Sequence, residues 1–203
     1  YHRFTPSVVS GKQDSIVFNP QNAQLKYAHE GAVYLQDNWE INSKLNINAG
    51  LRYAGFQQIG PNKIYETDDN GTRTDSTVFG RGRAVKTYGG LEPRLTIRYA
   101  INEQTSIKAS VTRNLQYIHL VSNAGTTLPT DLWVPSTYKV KPQISWLYAA
   151  GLFKNFKNNM YETSIEVYYK NMQNQIEYEE GYIPNTIDDI ENSFTFGKGW
   201  SYG

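Results

Sequence analysis

Leu45-Asn46-Ile47-Asn48-Ala49-Gly50-Leu51-Arg52-Tyr53 decides the fold. Leu45, Ile47, Ala49, Leu51 and Tyr53 alternate with Asn46, Asn48, Gly50 and Arg52, a period of two that gives a strand one dry and one wet face. The stretch follows a short polar turn, Asn42-Ser43-Lys44, and before that turn the alternation already runs from Gln24 to Ile41, with Leu25, Tyr27, Val33, Leu35, Trp39 and Ile41 on the apolar side. Two long alternating segments joined by a tight turn form an antiparallel hairpin.

The same unit recurs twice. Leu91 to Ile101 and Ser106 to His119 flank Asn102-Glu103-Gln104, and Ile144 to Phe153 and Tyr161 to Lys170 flank Asn155 to Asn159. Pro93 removes one ladder donor, so a local irregularity is expected there. The segment from Ile144 alternates poorly. Between the pairs lie long irregular connections at about 60–87, 120–143 and 179–199. All tight turns therefore fall on one side and all long connections on the other, as in an outer-membrane β-barrel with short periplasmic turns and elaborate extracellular loops. The fold class expected is all-β, an antiparallel up-and-down meander.

Segment length agrees. A tilted strand needs about 9–11 residues to cross the hydrocarbon layer, and these segments exceed the roughly 5–6 residues usual in soluble strands. A hydrophobic fraction of 39% is low for a membrane protein, but a barrel shows lipid only every second residue. No run approaches the roughly 18 apolar residues of a membrane-spanning helix. The 16 tyrosines and four tryptophans suit strands and membrane interfaces. Trp39, Tyr99 and Tyr161 sit near the short turns, with Tyr53 and Tyr169 farther along, as two interfacial girdles require. A soluble carbohydrate-binding β-sandwich would share the alternation.

Six strands and a stub at Gly199 to Gly203 fall short of the eight needed to close a membrane barrel. Open edges in lipid cost several kcal/mol per unsatisfied group, by order of magnitude. The chain begins at Tyr1 with no basic or apolar leader pattern and is expected to be excised or processed, which says nothing against export, because an internal piece of an exported protein would lack the leader too.

Chemistry-bearing patterns are sparse. Twenty Lys plus Arg against 19 Asp plus Glu give a net charge of +1, which offers no global field for nucleic acid. Cysteine is absent, and His2, His29 and His119 lack metal-ligand spacing, so no metal and no cofactor is expected. The carboxylate pairs Asp68-Asp69, Glu179-Glu180 and Asp188-Asp189 lie in polar connections and read as solvated loop. Gly80-Arg81-Gly82-Arg83 reads as a short flexible basic loop. No nucleophile elbow, Walker loop or dinucleotide fingerprint occurs, so an enzyme is disfavoured.

The wet-face charges are Arg52, Glu92, Arg94, Arg98, Lys108, Glu162, Glu166 and Lys170. Inside a barrel they line the lumen, and pairing across strands or contact with a lumen-filling domain ranks ahead of ligand contact. Ligand capture suits the loops, where sequence can vary over a rigid wall. Trp133 and Tyr138 offer flat faces beside Asp131 and Lys139, although Trp133, Pro129 and Pro135 could instead pack the loop onto the rim. Arg81 and Arg83, with Arg73 and Lys86, could attract an anion.

Several stretches in order resemble the barrel domain of TonB-dependent outer-membrane receptors, especially those of Bacteroidetes type. They are Tyr34-Leu35-Gln36-Asp37-Asn38-Trp39, Ala49-Gly50-Leu51-Arg52-Tyr53, Leu91-Glu92-Pro93-Arg94-Leu95 with Arg98-Tyr99, Asn114 to Leu120, Leu132-Trp133-Val134-Pro135-Ser136, Lys141-Pro142-Gln143 and Glu166-Val167-Tyr168-Tyr169-Lys170. The resemblance implies that residues 1–203 are part of a 22-stranded barrel domain, without its plug domain and last strands. It further implies a place in the outer membrane of a Gram-negative bacterium and TonB-driven uptake of a siderophore, cobalamin or oligosaccharide. The implied partners are membrane lipid, the plug, the TonB complex through the missing N-terminal part, and the small-molecule or oligosaccharide ligand. A passive porin or adhesin barrel is the alternative.

Overall fold

The computed structural model describes residues 1–4, 11–13, 16–18, 25–67, 73–121, 132–157, 160–179, 191 and 194–203. Its strands are β1 His2–Phe4, β2 Gly11–Gln13, β3 Ile16–Phe18, β4 Lys26–Glu40, β5 Leu45–Ile59, β6 Asn62–Thr67 and β7 Arg73–Phe79, followed by β8 Ala84–Asn102, β9 Thr105–Gln116, β10 Ile118–Val121, β11 Leu132–Pro135, β12 Gln143–Phe156, β13 Tyr161–Tyr178 and β14 Phe194–Tyr202. No helix among the described residues is long and apolar enough to cross a membrane, which says nothing of a β-barrel.

Eight strands make one antiparallel sheet in the order β1-β4-β5-β8-β9-β12-β13-β14, and β1 and β14 are its open edges. The strand number therefore exceeds the six and a stub expected: β14 is a full strand, and three-residue β1 is too short to show a period. Pairs β2/β3, β6/β7 and β10/β11 form separate hairpins. Two of these occupy connections expected to be irregular, and β8 begins at Ala84, inside the first of them. Lys26 on β4 pairs with Glu191, which lies between β13 and β14, so the second strand of the sheet approaches the connection of the seventh and eighth. Such an approach requires the sheet to curve.

Register fixes the two faces. Arg52 lies opposite Glu92, Gly50 opposite Arg94, Asn46 opposite Arg98, and Arg98 opposite Lys108, so the polar positions of β5, β8 and β9 share the inner face. Val33, Leu35, Leu51, Ile97, Ile165 and Val167 remain exposed on the other face, a continuous apolar band of a kind soluble monomers rarely show. A sandwich would cover this band with a second sheet, and none of the described strands does so.

The poorly alternating β12 is also resolved by register. Its outer residues are Ile144, Trp146, Tyr148 and Leu152, and its inner ones Ser145, Leu147, Ala149, Gly151 and Phe153. Apolar side chains occupy both faces there, which hides the period. Trp39, Tyr99 and Tyr161 form the girdle near the turns, and Tyr53, Tyr148, Tyr169, Trp146 and Trp200 the farther one, all on outer positions.

Pro93 has the expected effect, on one side only. The β5–β8 ladder runs through Leu51 and Pro93 without a break, whereas the β8–β9 ladder begins at Arg94 and Thr112. Above that level side chains replace the missing bonds. Leu115 N donates to Glu92 Oε1 at 2.7 Å, and the Arg113 guanidinium donates to Leu91 O. Gly90 lies under Leu115, whose Cδ1 would be 2.6 Å from an added Cβ, so the upper end of β9 leans over the inner face of β8.

Candidate functional site

The leaning strand carries the chain across the mouth of the sheet. Tyr117, between β9 and β10, stacks on Phe56 with ring centroids 5.3 Å apart and an 11° interplanar angle, and donates to Ala54 O at 2.9 Å. Ala28, Ala54, Phe56 and Phe4 surround it. Burying such a ring contributes about 1.5–3 kcal/mol. Val121, Val134 and Val140 form a second cluster with Ile176 of β13 and Phe194 of β14. Residues 117–121 and 132–142 are thus fastened to both ends of the curved sheet.

Polar ties complete the fastening. Tyr88 Oη donates to Thr137 O at 2.8 Å, Thr137 Oγ1 donates to Glu191 at 2.7 Å, and Asn174 donates to Pro142 O at 2.8 Å. His119 is fully buried in the hairpin; Nε2 lies 3.1 Å from Ser136 Oγ, and Nδ1 has no hydrogen-bond partner among the described residues. Burial pushes the His119 ring down to about 4. Burial first, then the Glu92 carboxylate, pushes Tyr117 up to about 12. A charge on either side chain would sit in a dry site.

Trp133 and Tyr138 remain more than half exposed on this fastened loop. Trp133 stands opposite Leu120, with Val134 and His119 turned inward, so the hairpin presents one outward apolar face. Lys86 of β8 lies 5.5 Å from the Tyr138 ring centroid and 5.6 Å from that of Tyr88. The two candidate loops therefore meet at Lys86 and Tyr138. Asp131 lies outside the described residues, as do Asp68-Asp69, Glu180 and Asp188-Asp189, and the side chain of Arg73.

Arg81 and Arg83 are exposed at a defined turn rather than on a loose loop. Gly60 N donates to Arg83 O at 2.8 Å, and Gly82 N donates to Gly60 O at 2.9 Å. Gly82 has φ 74°, a left-handed conformation that glycine adopts without Cβ strain. Among the described residues no hydrogen bond, ion pair or ring contact joins Arg81 or Arg83 to Trp133.

On the inner wall Arg52 pairs with Glu92, which is 2% exposed and also caps Leu115 N. Arg94 and Arg52 line a depression of about 370 Å³ with Tyr34, Gln36, Gly50 and Leu51. The Lys108 amine lies 4.3 Å from the Phe153 ring centroid. Glu166 stands opposite Gly151, Glu162 opposite Asn155, and Lys170 opposite Leu147 and Ser201. Among the described residues no group of three His, Cys, Asp or Glu side chains could hold a metal.

Reasoning from the sequence missed Tyr88, Tyr117, His119, Thr137 and Glu191, the fastenings of the loop. The aromatic run after Leu115 is visible in the sequence, but its pattern only continues the strand and does not show that the chain turns across the mouth of the sheet.

Comparison with known proteins bears on the whole chain. A family model described as TonB-dependent receptor-like β-barrel matches residues 1–203. No curated protein matches. Among solved structures, the chain is similar to the ferric-catecholate import receptor Fiu of K12 E. coli in closed form, with TM-score 0.51 and 13% identity over 91% of this chain and 26% of that one. It is also similar to the alcaligin outer-membrane receptor FauA of Bordetella pertussis, with TM-score 0.47 and 17% identity over 87% of this chain and 27% of that one. The chain thus spans about a quarter of the length of these receptors. Barrels of the matched family are outer-membrane proteins of Gram-negative bacteria. The chain belongs to the TonB-dependent receptor β-barrel family, whose members are transporters and not enzymes.

Proposed function

We propose that residues 1–203 are part of the barrel domain of a 22-stranded, Bacteroidetes-type receptor in the outer membrane, which imports a scarce nutrient with energy delivered through TonB. The plug domain and the closing strands belong to the rest of that receptor. The observation that supports capture at the long-loop end is the pair of stretches 117–121 and 132–142, which hold Trp133 and Tyr138 exposed while their own core is pinned to both sides of the sheet. A ligand meeting this rim pays little ordering entropy, because the aromatic faces are already placed.

Flat rings beside Lys86, with Arg81 and Arg83 on the neighbouring turn, suit an anionic ligand that carries rings. A ferric siderophore satisfies both requirements, while cobalamin and an oligosaccharide use only the flat faces. The similarity to Fiu supports the fold alone, so the ligand class rests on the rim chemistry. Of the inner-wall residues, Arg52 and Glu92 pair across strands, and Arg94, Arg98, Lys108, Glu162, Glu166 and Lys170 serve contact with the plug.

The test is uptake of radio-iron as a ferric catecholate chelate by cells that carry the complete receptor, with and without a functional TonB. Import should require TonB and fall at least tenfold in a Trp133→Ala/Tyr138→Ala variant that reaches the membrane in normal amount. Import that persists without TonB would remove the active-transport reading. Import of cobalamin or an oligosaccharide in place of the chelate would correct the ligand class.

A further inference from the structure

On the outer face of the β12–β13 hairpin a single charged side chain stands among apolar and neutral ones. Over the paired residues 144–156 and 161–173 it is Lys154. Thr105 of β9 and Thr163 of β13 lie opposite it, so a hydroxyl flanks the amine on either side. The next outer row toward the long loops is Ile107, Leu152 and Ile165, all exposed, and the row beyond is Ala109, Ala150 and Val167. Ala109 and Ala150 are opposed between the bulkier rows Ile107/Leu152 and Val111/Tyr148, which leaves a shallow trough in the apolar band above the lysine.

A second amine comes to the same end of the hairpin. Lys154 Nζ lies 5.0 Å from the Phe156 ring centroid and Lys157 Nζ 5.5 Å from that of Tyr161, and the two rings are opposed across the ladder. One pair of rings thus carries both cations. Lys157 reaches this place with φ at 49°, a left-handed conformation uncommon for a residue with a long side chain. The adjoining β8–β9 turn is close, since Asn155 N donates to Gln104 O at 2.8 Å. Among the described residues neither amine forms an ion pair, with Glu103 of that turn or with any other acid.

A cation on the lipid-facing side is destabilising unless it reaches the interface and meets a counter-charge. We propose that Lys154 and Lys157 hold the phosphate of an anionic phospholipid in the periplasmic leaflet, with an acyl chain laid along Leu152 and the Ala109–Ala150 trough. This rests on the receptor's orientation, with its tight turns toward the periplasm. The occupant is a lipid and not a dissolved anion, because the amines adjoin an apolar trough instead of a polar pocket. Two cations select a headgroup with net negative charge over a zwitterion, whose own amine would be repelled.

Native mass spectrometry tests this on the full-length receptor released from nanodiscs that hold equal parts of phosphatidylglycerol and phosphatidylethanolamine. Retained lipid should favour phosphatidylglycerol roughly tenfold, and Lys154→Gln/Lys157→Gln should bring the ratio near one. Lys198→Gln, on the outer face of β14 at the long-loop end, should leave the preference unchanged. Lys157→Asn should keep or raise thermal stability, since asparagine accepts the left-handed conformation more readily, while lowering the preference at least twofold. A preference that survives either Lys157→Asn or the double variant, or that falls equally in Lys198→Gln, would overturn the proposal. In detergent, protection of the two lysines from acylation by inorganic phosphate alone, equal to that given by phosphatidylglycerol, would assign the site to a dissolved anion and overturn it too. Labelling of Lys157 on intact cells by an amine reagent that cannot cross the outer membrane would defeat the orientation itself. Lipid retention without preference would defeat only this site.

Discussion

Replacing Glu92 tests the account of how the wall divides above Pro93. Its carboxylate does two things at once: Oε2 pairs with Arg52, and Oε1 accepts from Leu115 N at 2.7 Å, where no β8–β9 ladder bond exists. The Arg52 side chain is 33% exposed, so screening holds the ion pair to about 1 kcal/mol. A hydrogen bond to an ionised acceptor contributes about 1.5–3 kcal/mol. Glu92→Ala removes both and should cost about 3 kcal/mol, or roughly two decades in local opening. Glu92→Gln keeps a carbonyl oxygen for Leu115 and should cost about 1 kcal/mol, roughly a fivefold change. Hydrogen exchange of the peptide spanning residues 113–117, measured on the full-length receptor in detergent, reads both numbers. Equal protection in Glu92→Ala and wild type would refute the role given to the carboxylate. Equal loss in both variants would show that the charge matters and the Leu115 bond does not.

The buried ring of His119 has its pKa lowered to about 4, so the native hairpin refuses a proton that the opened hairpin accepts below about 6.5. Its contribution is complete above that pH and is lost as pH falls toward 4, by about 3 kcal/mol in all. Exchange in β10 and β11, corrected for intrinsic rates, should rise over this window, and His119→Gln should flatten the rise. Tyr117→Phe loses the bond to Ala54 O and should cost about 1 kcal/mol, whereas Tyr117→Ala also empties the stack on Phe56 and should cost about 3–5 kcal/mol; comparable exchange of residues 117–121 in the two variants would deny the stack its weight. Gly60→Ala places a Cβ 2.3 Å from Gly80 O and 2.9 Å from Phe79 O. These are backbone atoms that cannot turn aside, so about 1–3 kcal/mol of strain should open the base of the β6–β7 hairpin, seen as faster proteolysis near Gly82 with β5 and β8 unchanged.

Sequence pattern was informative where the two faces of a strand differ chemically. Leu45 to Tyr53 announced β5 and its outward side because every second residue changes class, and the opposed partners across β4 and β8 keep that alternation in register. It was uninformative for β12, where Leu147, Ala149 and Phe153 face inward. Phe153 is compatible with a wet wall because the Lys108 amine covers its ring. Pro93 announced an irregularity but not its side, since a missing N–H affects only the neighbour toward which it would have pointed. The fastenings of the loop were hidden for a different reason. Tyr88 meets Thr137 across 49 positions, Thr137 meets Glu191 across 54, and Tyr117 meets Ala54 across 63. No local period encodes contacts that distant.

Height along the strands separates two duties of this chain. Below Arg94 and Thr112 the neighbouring ladders from β4 to β13 run on, with one register shift between Ala100 and Asn102 beside the β8–β9 turn, and the wall must be paired there, because a backbone group left open in lipid costs several kcal/mol by order of magnitude. Above that level the same requirement lapses, since water and side chains can satisfy the backbone. β9 then departs from β8 while keeping its register with β12 up to Gln116 and Gln143. Pro93 lies at this boundary, and Glu92 and Arg113 bond the groups it frees. The departure is what brings Tyr117 over Phe56 and suspends Trp133 and Tyr138 at the rim. If a fixed rim is the purpose of the departure, ligand affinity should respond to Tyr117→Ala nearly as strongly as to Trp133→Ala, although Tyr117 is buried and touches no ligand. An affinity that ignores Tyr117 would mean that the rim need not be held, and that capture depends on residues outside the loop.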